Sequence, residues 1–367
     1  MSPQMTETKS PSSAFSHRFM NQRGFIYAVM SLWLGVMLCG PLPDAAALPT
    51  ADEVLQELHL SDNDRENIRQ GKIVDWSASE GSERELALGM AFLVKAKPED
   101  LAKMYREALV LKEVSVITAH GKLTGEGTMA DLAGVVLQPN GEKEAGRYLN
   151  VEPGSELNLD AKEMAAFQAL KAGGNADAVP VQKVEALVRQ ELLARYQAYR
   201  SKGLSGIAPY ERGHGEQRNA GDELLLSTKE LTGVAKHLPA FHKFLLSYPQ
   251  GLAKDEAKNL EEFFYWLNID VFGRPTYVLV HRLLYHVGDA ALAVERHYYT
   301  SHDYNSMLQG IAALPTKDGT FLFYIGRVST DQVGGFGSSM KHPVSRAITA
   351  PYIKDMFKEV QTNAGKK

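Results

Sequence analysis

The chain contains a single cysteine, Cys39, among 367 residues, so it can form no internal disulfide bond. It has no Gly-x-Ser-x-Gly nucleophile elbow, which argues against a common form of serine hydrolase chemistry. No internal repeat and no low-complexity tract is present, which argues against solenoid architectures. Stability must therefore come from a buried apolar core, and a chain of this length is large enough to form one.

A basic excess is also missing, because 40 Lys and Arg residues face 44 Asp and Glu residues, giving a net charge of −4. Non-specific binding to nucleic acid requires a basic footprint on the protein. The composition therefore argues against a nucleic-acid partner.

No apolar run is long enough to be a typical membrane-spanning helix, which needs roughly 20 residues. The longest run, Phe25 to Cys39, follows Arg18 and Arg23 and precedes Ala45-Ala46-Ala47, which is the layout of an export signal. We therefore expect residues 1–47 to be a signal peptide cleaved near Ala47, and the product to be periplasmic or secreted. Retention as an amino-terminal membrane anchor is the alternative. The cleaved product would have no cysteine and 37 basic against 42 acidic residues, a net charge of −5.

After the expected signal, the pattern predicts short helices and then strands. Thr50 and Glu53 have capping-box spacing, so residues 48–71 are expected to form a small helical cap. Apolar side chains that alternate or run continuously predict strands, and Pro98 is suited to a helix amino terminus. The strands are expected over residues 72–79, 85–96 and 112–120, with a helix between the last two.

Helical periodicity replaces strand periodicity over residues 155–250, which we interpret as a helical insertion. Glycines and prolines divide it into separate helices. Residues 203–221 are expected to form a loop. The helices are expected over residues 160–172, 181–203, 222–237 and 239–248.

From Phe263 to Ser329 the apolar period changes to two, which predicts five strands joined by short turns such as Lys317-Asp318-Gly319. Strands with such short connections are neighbours in an antiparallel meander. A helix over Arg346 to Val360 follows, and its apolar side needs a surface to cover it. The sequence therefore predicts an α+β fold in which a curved antiparallel meander is closed by a C-terminal helix. Residues 361–367 are expected to be a disordered tail.

This order of elements resembles the helix-grip fold of START and polyketide-cyclase-like lipid-binding domains over residues 72–360, with the helical insertion as a departure. The resemblance implies a cavity for apolar compounds between the sheet and the last helix. Two segments, Glu295-Arg296-His297-Tyr298-Tyr299 and Ser329 to Gly337, are also similar to a family of uncharacterised exported bacterial proteins.

The candidate binding residues combine apolar surface with a few polar groups, as small-molecule pockets do. Buried tyrosine hydroxyls need hydrogen-bond partners, and Arg296, Arg327 or Tyr299 would orient the polar end of a ligand. The leading hypothesis is therefore an exported soluble protein that binds an apolar or amphipathic small molecule, such as a lipid, without chemical turnover. The candidate ligand-binding residues are Tyr265, Tyr277, His281, Glu295, Arg296, His297, Tyr299, Arg327 and Arg346.

An enzyme is the alternative hypothesis. Glu295 and His297 point to the same side of one strand, and His302 follows within five residues. A carboxylate and two imidazoles are common metal ligands, so these three residues predict a metal-dependent or acid–base site. A structural interpretation instead pairs Glu295 with an arginine of a neighbouring strand and bonds His297 to a backbone carbonyl. No motif implies a cofactor.

Two further hypotheses concern surfaces. The glycine-rich loop Gly334 to Ser339 matches no phosphate-binding or dinucleotide-binding pattern. It could still place backbone amides near a lipid head group held by Lys341 and Arg346, which would give a transient membrane contact. The helical segment from Asp160 to Tyr248 could alternatively be the contact surface of a cell-envelope interaction protein.

Overall fold

The computed structural model describes residues 48–107, 116–154, 156–171, 179–271 and 273–364. The expected signal peptide lies outside these residues, and so do residues 112–115 of the strand expected over 112–120, whose described part includes the start of a strand at Ile117. The described residues form a mixed α+β fold built on an eight-stranded antiparallel sheet, which confirms the predicted fold class. None of their helices combines the length and apolar content needed to cross a lipid bilayer.

The strands of the large sheet lie in the order β1-β2-β10-β9-β8-β7-β6-β3, and β4 pairs with β5 in a separate hairpin. The strands are β1 Val74–Ser77, β2 Glu85–Val94, β3 Ile117–Leu123, β4 Tyr210–Gly213, β5 Glu216–Arg218, β6 Leu260–Val271, β7 Arg274–Val287, β8 Ala290–Thr300, β9 Ser306–Thr316 and β10 Gly319–Ser329.

The helices precede, interrupt and follow the sheet. They are α1 Ala51–Glu57, α2 Asp62–Arg69, α3 Pro98–Arg106, α4 Gly141–Leu149, α5 Ala161–Lys171, α6 Val181–Lys202, α7 Ala220–Lys229, α8 Thr232–His237, α9 Pro239–Ser247, α10 Lys254–Ala257 and α11 Ser338–Ala364, with a 3₁₀ turn at Gly203–Gly206.

The predicted meander is confirmed, because β6 to β10 pair with one another in chain order. One irregularity lies in the β7–β8 pairing, where Leu279 is opposite Tyr299 and Val280 is opposite His297. Tyr298 is therefore an extra residue in a β-bulge. The bulge places both Tyr298 and Tyr299 in the apolar cluster on one face of the sheet.

The helical insertion covers that face, which we call the insertion face. Its core contains Val188, Leu192 and Tyr196 of α6, which pack with Phe264 and Trp266 of β6. The side chains of the insertion helices and of every second residue of the strands therefore form one cluster. At the other end of the same face, Leu55 of α1 joins a smaller cluster with Phe321 and Phe323 of β10.

Helices α11 and α3 cover the opposite face, which we call the terminal-helix face. Phe357 of α11 lies with its ring centroid 4.6 Å from that of Phe92 and 5.2 Å from that of Tyr324. Ile353 and Val360 are buried in the same cluster. These side chains fill the space where the resemblance to helix-grip domains implies a cavity.

Three element predictions need correction. Helix α11 begins at Ser338, eight residues before the predicted start, and it continues through Pro343 and Pro351 to Ala364, into the expected tail. The predicted loop over 203–221 contains the β4–β5 hairpin, whose strands are too short and too polar to show period two. The single helix predicted over 222–237 is two helices, α7 and α8. Helices α4 and α10 were not predicted.

Candidate functional site

The structure divides the predicted site residues between the two faces of the sheet. Successive side chains of a strand point to opposite faces, so neighbours in sequence do not share one pocket except at the Tyr298 bulge. The terminal-helix face holds Tyr265, Glu295 and His297, the insertion face holds Tyr277, His281, Arg296, Tyr299 and Arg327, and Arg346 lies on α11.

On the terminal-helix face, Glu295 forms a buried polar group with its neighbours. Its carboxylate lies 3.3 Å from Arg282 Nε on the neighbouring strand β7 and 2.8 Å from His297 Nε2. The pairing of Glu295 with an arginine of a neighbouring strand confirms the structural interpretation of this residue. His297 Nδ1 lies 2.7 Å from the Tyr304 hydroxyl, so the expected bond of His297 to a backbone carbonyl is wrong.

His302 does not join this group. Its Nε2 lies 3.0 Å from Thr276 Oγ1, and its Nδ1 forms an ion pair with Asp303. Across the part of the chain that the structure describes, no group of three or more His, Cys, Asp or Glu side chains could hold a metal ion. The hypothesis of a metal site built from Glu295, His297 and His302 is therefore wrong, because the side chain of His302 is directed to other partners.

The insertion face contains a chain of polar contacts that joins three elements. Glu262 Oε1 of β6 lies 2.9 Å from His281 Nε2 of β7, and His281 Nδ1 lies 2.8 Å from the Tyr199 hydroxyl of α6. His281 is fully buried, whereas the side chain of Glu262 is 31% exposed. The chain therefore connects the protein surface to a buried phenol.

Aromatic rings surround this chain. Tyr199 stacks on Tyr298, with ring centroids 4.0 Å apart and planes 8° apart, and Tyr248 lies 5.3 Å from Tyr199. Phe264 stacks on the His281 imidazole at 4.4 Å. We call Tyr199, Tyr248, Phe264, His281 and Tyr298 the aromatic chamber.

Arg296 lies at the floor of the aromatic chamber, directly across the strand pair from His281. It has no exposed surface, and its Nη2 donates to Thr228 Oγ1 at 3.2 Å and to the Leu245 carbonyl at 2.5 Å. Its Nε and Nη1 have no hydrogen-bond partner among the described residues, and neither has the hydroxyl of Tyr298. No carboxylate of these residues forms an ion pair with it, so its charge is buried without a counter-charge.

The pKa shifts describe the same site electrostatically. Burial lowers the pKa of His281 to about 4, and the charge of Arg296 adds to this, although Glu262 opposes both. Burial alone would raise the pKa of Glu262, but the neighbouring His281, Tyr248 and Arg200 side chains outweigh it and hold the pKa below its usual value. At neutral pH the imidazole is therefore uncharged, and its Nδ1 accepts a hydrogen bond from the Tyr199 hydroxyl. Its Nε2 faces the Glu262 carboxylate at 2.9 Å without the geometry of a hydrogen bond.

Glu262 and Tyr199 were not predicted as site residues. Period two places Glu262 on the same side of β6 as Phe264 and Trp266. An acidic residue on this apolar side could have identified Glu262 as a candidate site residue from the sequence. No sequence signal brings Tyr199 to His281, because the two residues are 82 positions apart and belong to different layers.

The other predicted residues of the insertion face contact protein partners, although Arg327 Nε has no hydrogen-bond partner among the described residues. The Tyr277 hydroxyl donates to the Val136 carbonyl at 2.7 Å, and Arg327 Nη1 lies 2.9 Å from a Glu85 carboxylate oxygen. The Arg195 guanidinium lies 4.3 Å from the centre of the Tyr299 ring. Two arginines were predicted to orient a ligand. Arg327 has a carboxylate partner, Glu85, whereas Arg296 has unpaired nitrogens and no carboxylate partner among the described residues.

Neither the expected head-group contact near the start of α11 nor an open surface pocket adds to the site. Arg346 pairs with Glu80, and Lys341 Nζ donates to the Gly334 carbonyl at 2.8 Å, so both groups of the expected head-group contact are engaged within the protein. An open pocket of about 830 Å³ lies elsewhere, lined chiefly by residues 95–100 and 315–319, and it includes none of the predicted site residues.

Comparison with known proteins gives no match to a family model, to a curated protein or to a solved structure.

Proposed function

We propose that this protein binds an amphipathic small molecule with an anionic head group in the aromatic chamber, where Arg296 pairs with the head group. The observation that carries this proposal is the buried guanidinium with two unpaired nitrogens and no carboxylate partner among the described residues. A buried charge without a partner is strongly destabilising. An anionic ligand would supply both the missing charge and the missing hydrogen-bond acceptors.

The remaining walls of the chamber suit the apolar part of such a ligand. The stacked rings of Tyr199, Tyr248 and Tyr298 offer flat apolar surface, and the hydroxyl of Tyr298 adds a second polar contact. The rings pack closely against one another in the structure, so a ligand must displace some of them. The segment from α9 to Tyr248 is the natural part to move, because it lies over the chamber and its Leu245 carbonyl holds Arg296.

The proposal keeps the ligand class expected from the sequence and changes its place. The sequence placed the ligand between the sheet and the C-terminal helix, where Phe357, Phe92 and Tyr324 pack together. The aromatic chamber lies on the opposite face, beneath the helical insertion, and it retains His281 and Arg296 from the predicted set.

Paired probes of equal length test the proposal. Dodecanoate and dodecanol share an apolar chain and differ in head-group charge, so an Arg296 site should bind dodecanoate at least about tenfold more tightly. Arg296→Met should remove that preference, while Arg189→Met, a half-buried arginine on the outer part of α6, should preserve it. Isothermal titration calorimetry gives the affinities, and circular dichroism verifies that each variant is folded.

Equal affinity of the wild-type protein for the two probes would contradict an anion site at Arg296. Native mass spectrometry of protein purified from its own host adds an independent measurement. An acidic lipid or another organic acid should co-purify with the wild-type protein and be lost in Arg296→Met.

The chain from Glu262 through His281 to Tyr199 favours a second candidate function, an acid–base enzyme acting on the bound molecule. A neutral imidazole backed by a carboxylate can accept a proton from a phenol that faces a ligand. Tyr199→Phe removes the proton but keeps the stacked ring. We expect this variant to retain binding and to abolish any conversion of the co-purified compound, followed by mass spectrometry; unchanged conversion would exclude the phenol from the chemistry.

A cell-envelope interaction protein that uses the helical insertion has less support. The large apolar side chains that are exposed among the described residues are Met129, Leu226, Phe336, Met340 and Val344, and Leu226 is the one that lies between residues 160 and 248. Three of the five instead lie together at the beginning of α11.

A further inference from the structure

The start of α11 presents an uncharged, mostly apolar surface to solvent. Phe336 is 103% exposed, Met340 is 76% exposed and Val344 is 47% exposed. Met340 and Val344 are four residues apart in α11, so the helix places them on one side, and Phe336 lies in the turn just before the helix. Pro343 and Ala347 are also exposed and extend the same surface, and we call these five residues the apolar ridge.

Charged groups are absent from the exposed positions of this stretch. The exposed residues from 335 to 347 are glycine, serine or apolar, whereas the solvent side of a helix is normally polar or charged. The two cations of this stretch, Lys341 and Arg346, are engaged with the Gly334 carbonyl and with Glu80. The apolar ridge therefore has the composition of a surface that is covered during function.

The turn that precedes α11 holds Phe336 outward. Gly335 and Gly337 on either side of it both have positive φ angles, of 71° and 78°, which favour glycine. This conformation projects the ring away from the body of the protein as the tip of the apolar ridge.

We propose that the apolar ridge inserts into the interfacial region of a lipid bilayer and docks the protein on a membrane surface. A second copy of the chain is the competing occupant, but a stable dimer buries about 800 Å² and roughly 20 residues on each partner. The five side chains of the apolar ridge provide a much smaller contact area than that. A bilayer needs no such area, because each apolar side chain that leaves water contributes separately.

The sequence contains a second feature directed to membranes. The apolar run from Phe25 to Cys39 has the pattern of an export signal or anchor. One weak apolar anchor gives only marginal membrane binding, and stable attachment commonly needs two anchors. A retained amino-terminal segment and the apolar ridge would provide two such anchors.

Partition of the full chain into phosphatidylcholine vesicles tests this proposal. This lipid has no net charge, so the apolar contribution is measured. We expect Phe336→Ser/Met340→Ser to lower the partition coefficient at least about fivefold relative to wild type. The matched control Met129→Ser/Leu226→Ser changes two exposed apolar residues outside the ridge and should leave it unchanged. Equal partition of the ridge variant and the wild type would overturn the proposal.

A local probe separates the ridge from the amino-terminal segment. Phe336→Trp should show a blue-shifted emission with vesicles, relative to wild type, and quenching by brominated lipids. Absence of quenching at this position would overturn the proposal even if the chain binds vesicles. Light scattering after size exclusion addresses the competing occupant: a wild-type dimer that the ridge double variant abolishes would assign the ridge to a second copy and overturn the membrane assignment.

Discussion

Two carboxylate–imidazole–phenol chains lie back to back on β7 and β8. On the insertion face the chain runs through His281 to Tyr199, and on the terminal-helix face it runs from Glu295 through His297 to Tyr304. They differ in access to water, because Glu295 is buried whereas Glu262 is partly exposed. The first chain can therefore exchange protons with solvent in the folded state. The second is enclosed in the core, where a Glu295 oxygen and Arg282 Nε lie 3.3 Å apart but have no hydrogen-bond partner among the described residues.

The buried imidazole of His281 predicts a loss of stability in mild acid. Its pKa is lowered from 6.5 to about 4, so between these values the unfolded chain binds a proton that the folded chain does not. The free energy of unfolding should fall by about 2 kcal/mol from pH 7 to pH 5 through this residue. Urea unfolding at the two pH values should show a smaller decline for His281→Gln than for wild type.

The partly exposed His286 provides the comparison. His286→Gln should keep the full decline, because its ring lies at the surface end of β7 with Glu261. An equal decline in His281→Gln and wild type would show that the buried imidazole is not the group that titrates.

At the scale of elements, Asp331 supplies two of the contacts that fix the β4–β5 hairpin to the rest of the protein, beside those that Arg212 makes with Gly154, Asn158 and Asn305. Asp331 lies 2.7 Å from Arg212 Nε and 2.5 Å from Arg218 Nε, both on the hairpin, and 3.4 Å from Arg84 Nε. Burial alone would raise the pKa of Asp331, but the hydrogen bonds from Arg212 and Arg218 outweigh it and lower the pKa. The carboxylate therefore stays charged and joins the hairpin to the segment between β10 and α11.

Asp331→Asn should release this hairpin. The substitution removes the charge and replaces one acceptor oxygen with an amide donor, so Arg212 or Arg218 loses its acceptor, which we expect to cost about 1–3 kcal/mol of stability. Hydrogen exchange should increase over residues 210–218 more than over the β6–β8 strands. Asp318→Asn, in the exposed turn between β9 and β10, is the matched control; protection of the hairpin equal to that of wild type would contradict the role assigned to Asp331.

At the scale of the whole molecule, helices cover both faces of the sheet. The packing of each face decides on which of them a ligand can bind. Helix α11 and the strands on the terminal-helix face pack through apolar side chains, apart from the small polar group around Glu295. The insertion face combines aromatic rings with the unpaired groups of Arg296 and Tyr298. Unpaired polar atoms lie on both faces, but Arg282 on the terminal-helix face has the Glu295 carboxylate 3.3 Å away, whereas Arg296 on the insertion face has no carboxylate partner among the described residues.

Phe357→Ala tests whether the terminal-helix face is filled. In a close-packed layer this truncation leaves a cavity and should cost about 3–5 kcal/mol of stability. Denaturant unfolding at pH 7 gives the change, with the neighbouring Lys358→Ala, whose side chain is largely exposed, as the control. A loss below about 1 kcal/mol would indicate that the ring faces a hollow interior and would restore the ligand to this face.

Much of the sheet could be predicted because its signals are local. Period two from Phe263 to Ser329 and the tight turn at Lys317-Asp318-Gly319 depend on adjacent residues, and they led to the correct meander. The hairpin at 210–218 and helix α4 were missed, because short polar elements gain their stability from distant partners such as Asp331. For the candidate site, the sequence indicated His281 and Arg296 as polar residues in an apolar strand, but it grouped them with residues of the opposite face.

The sequence by itself determined the α+β class, the order of the meander strands and the final helix, because turn chemistry and hydrophobic period act between near neighbours. The tertiary structure alone decided which layer covers each face, that the bulge at Tyr298 gathers two tyrosines on one side, and that Arg296 is buried without a counter-charge. These features arise from contacts such as the one between Tyr199 and His281, which join residues far apart in the chain. Their energies depend on packing and desolvation, which no local pattern encodes.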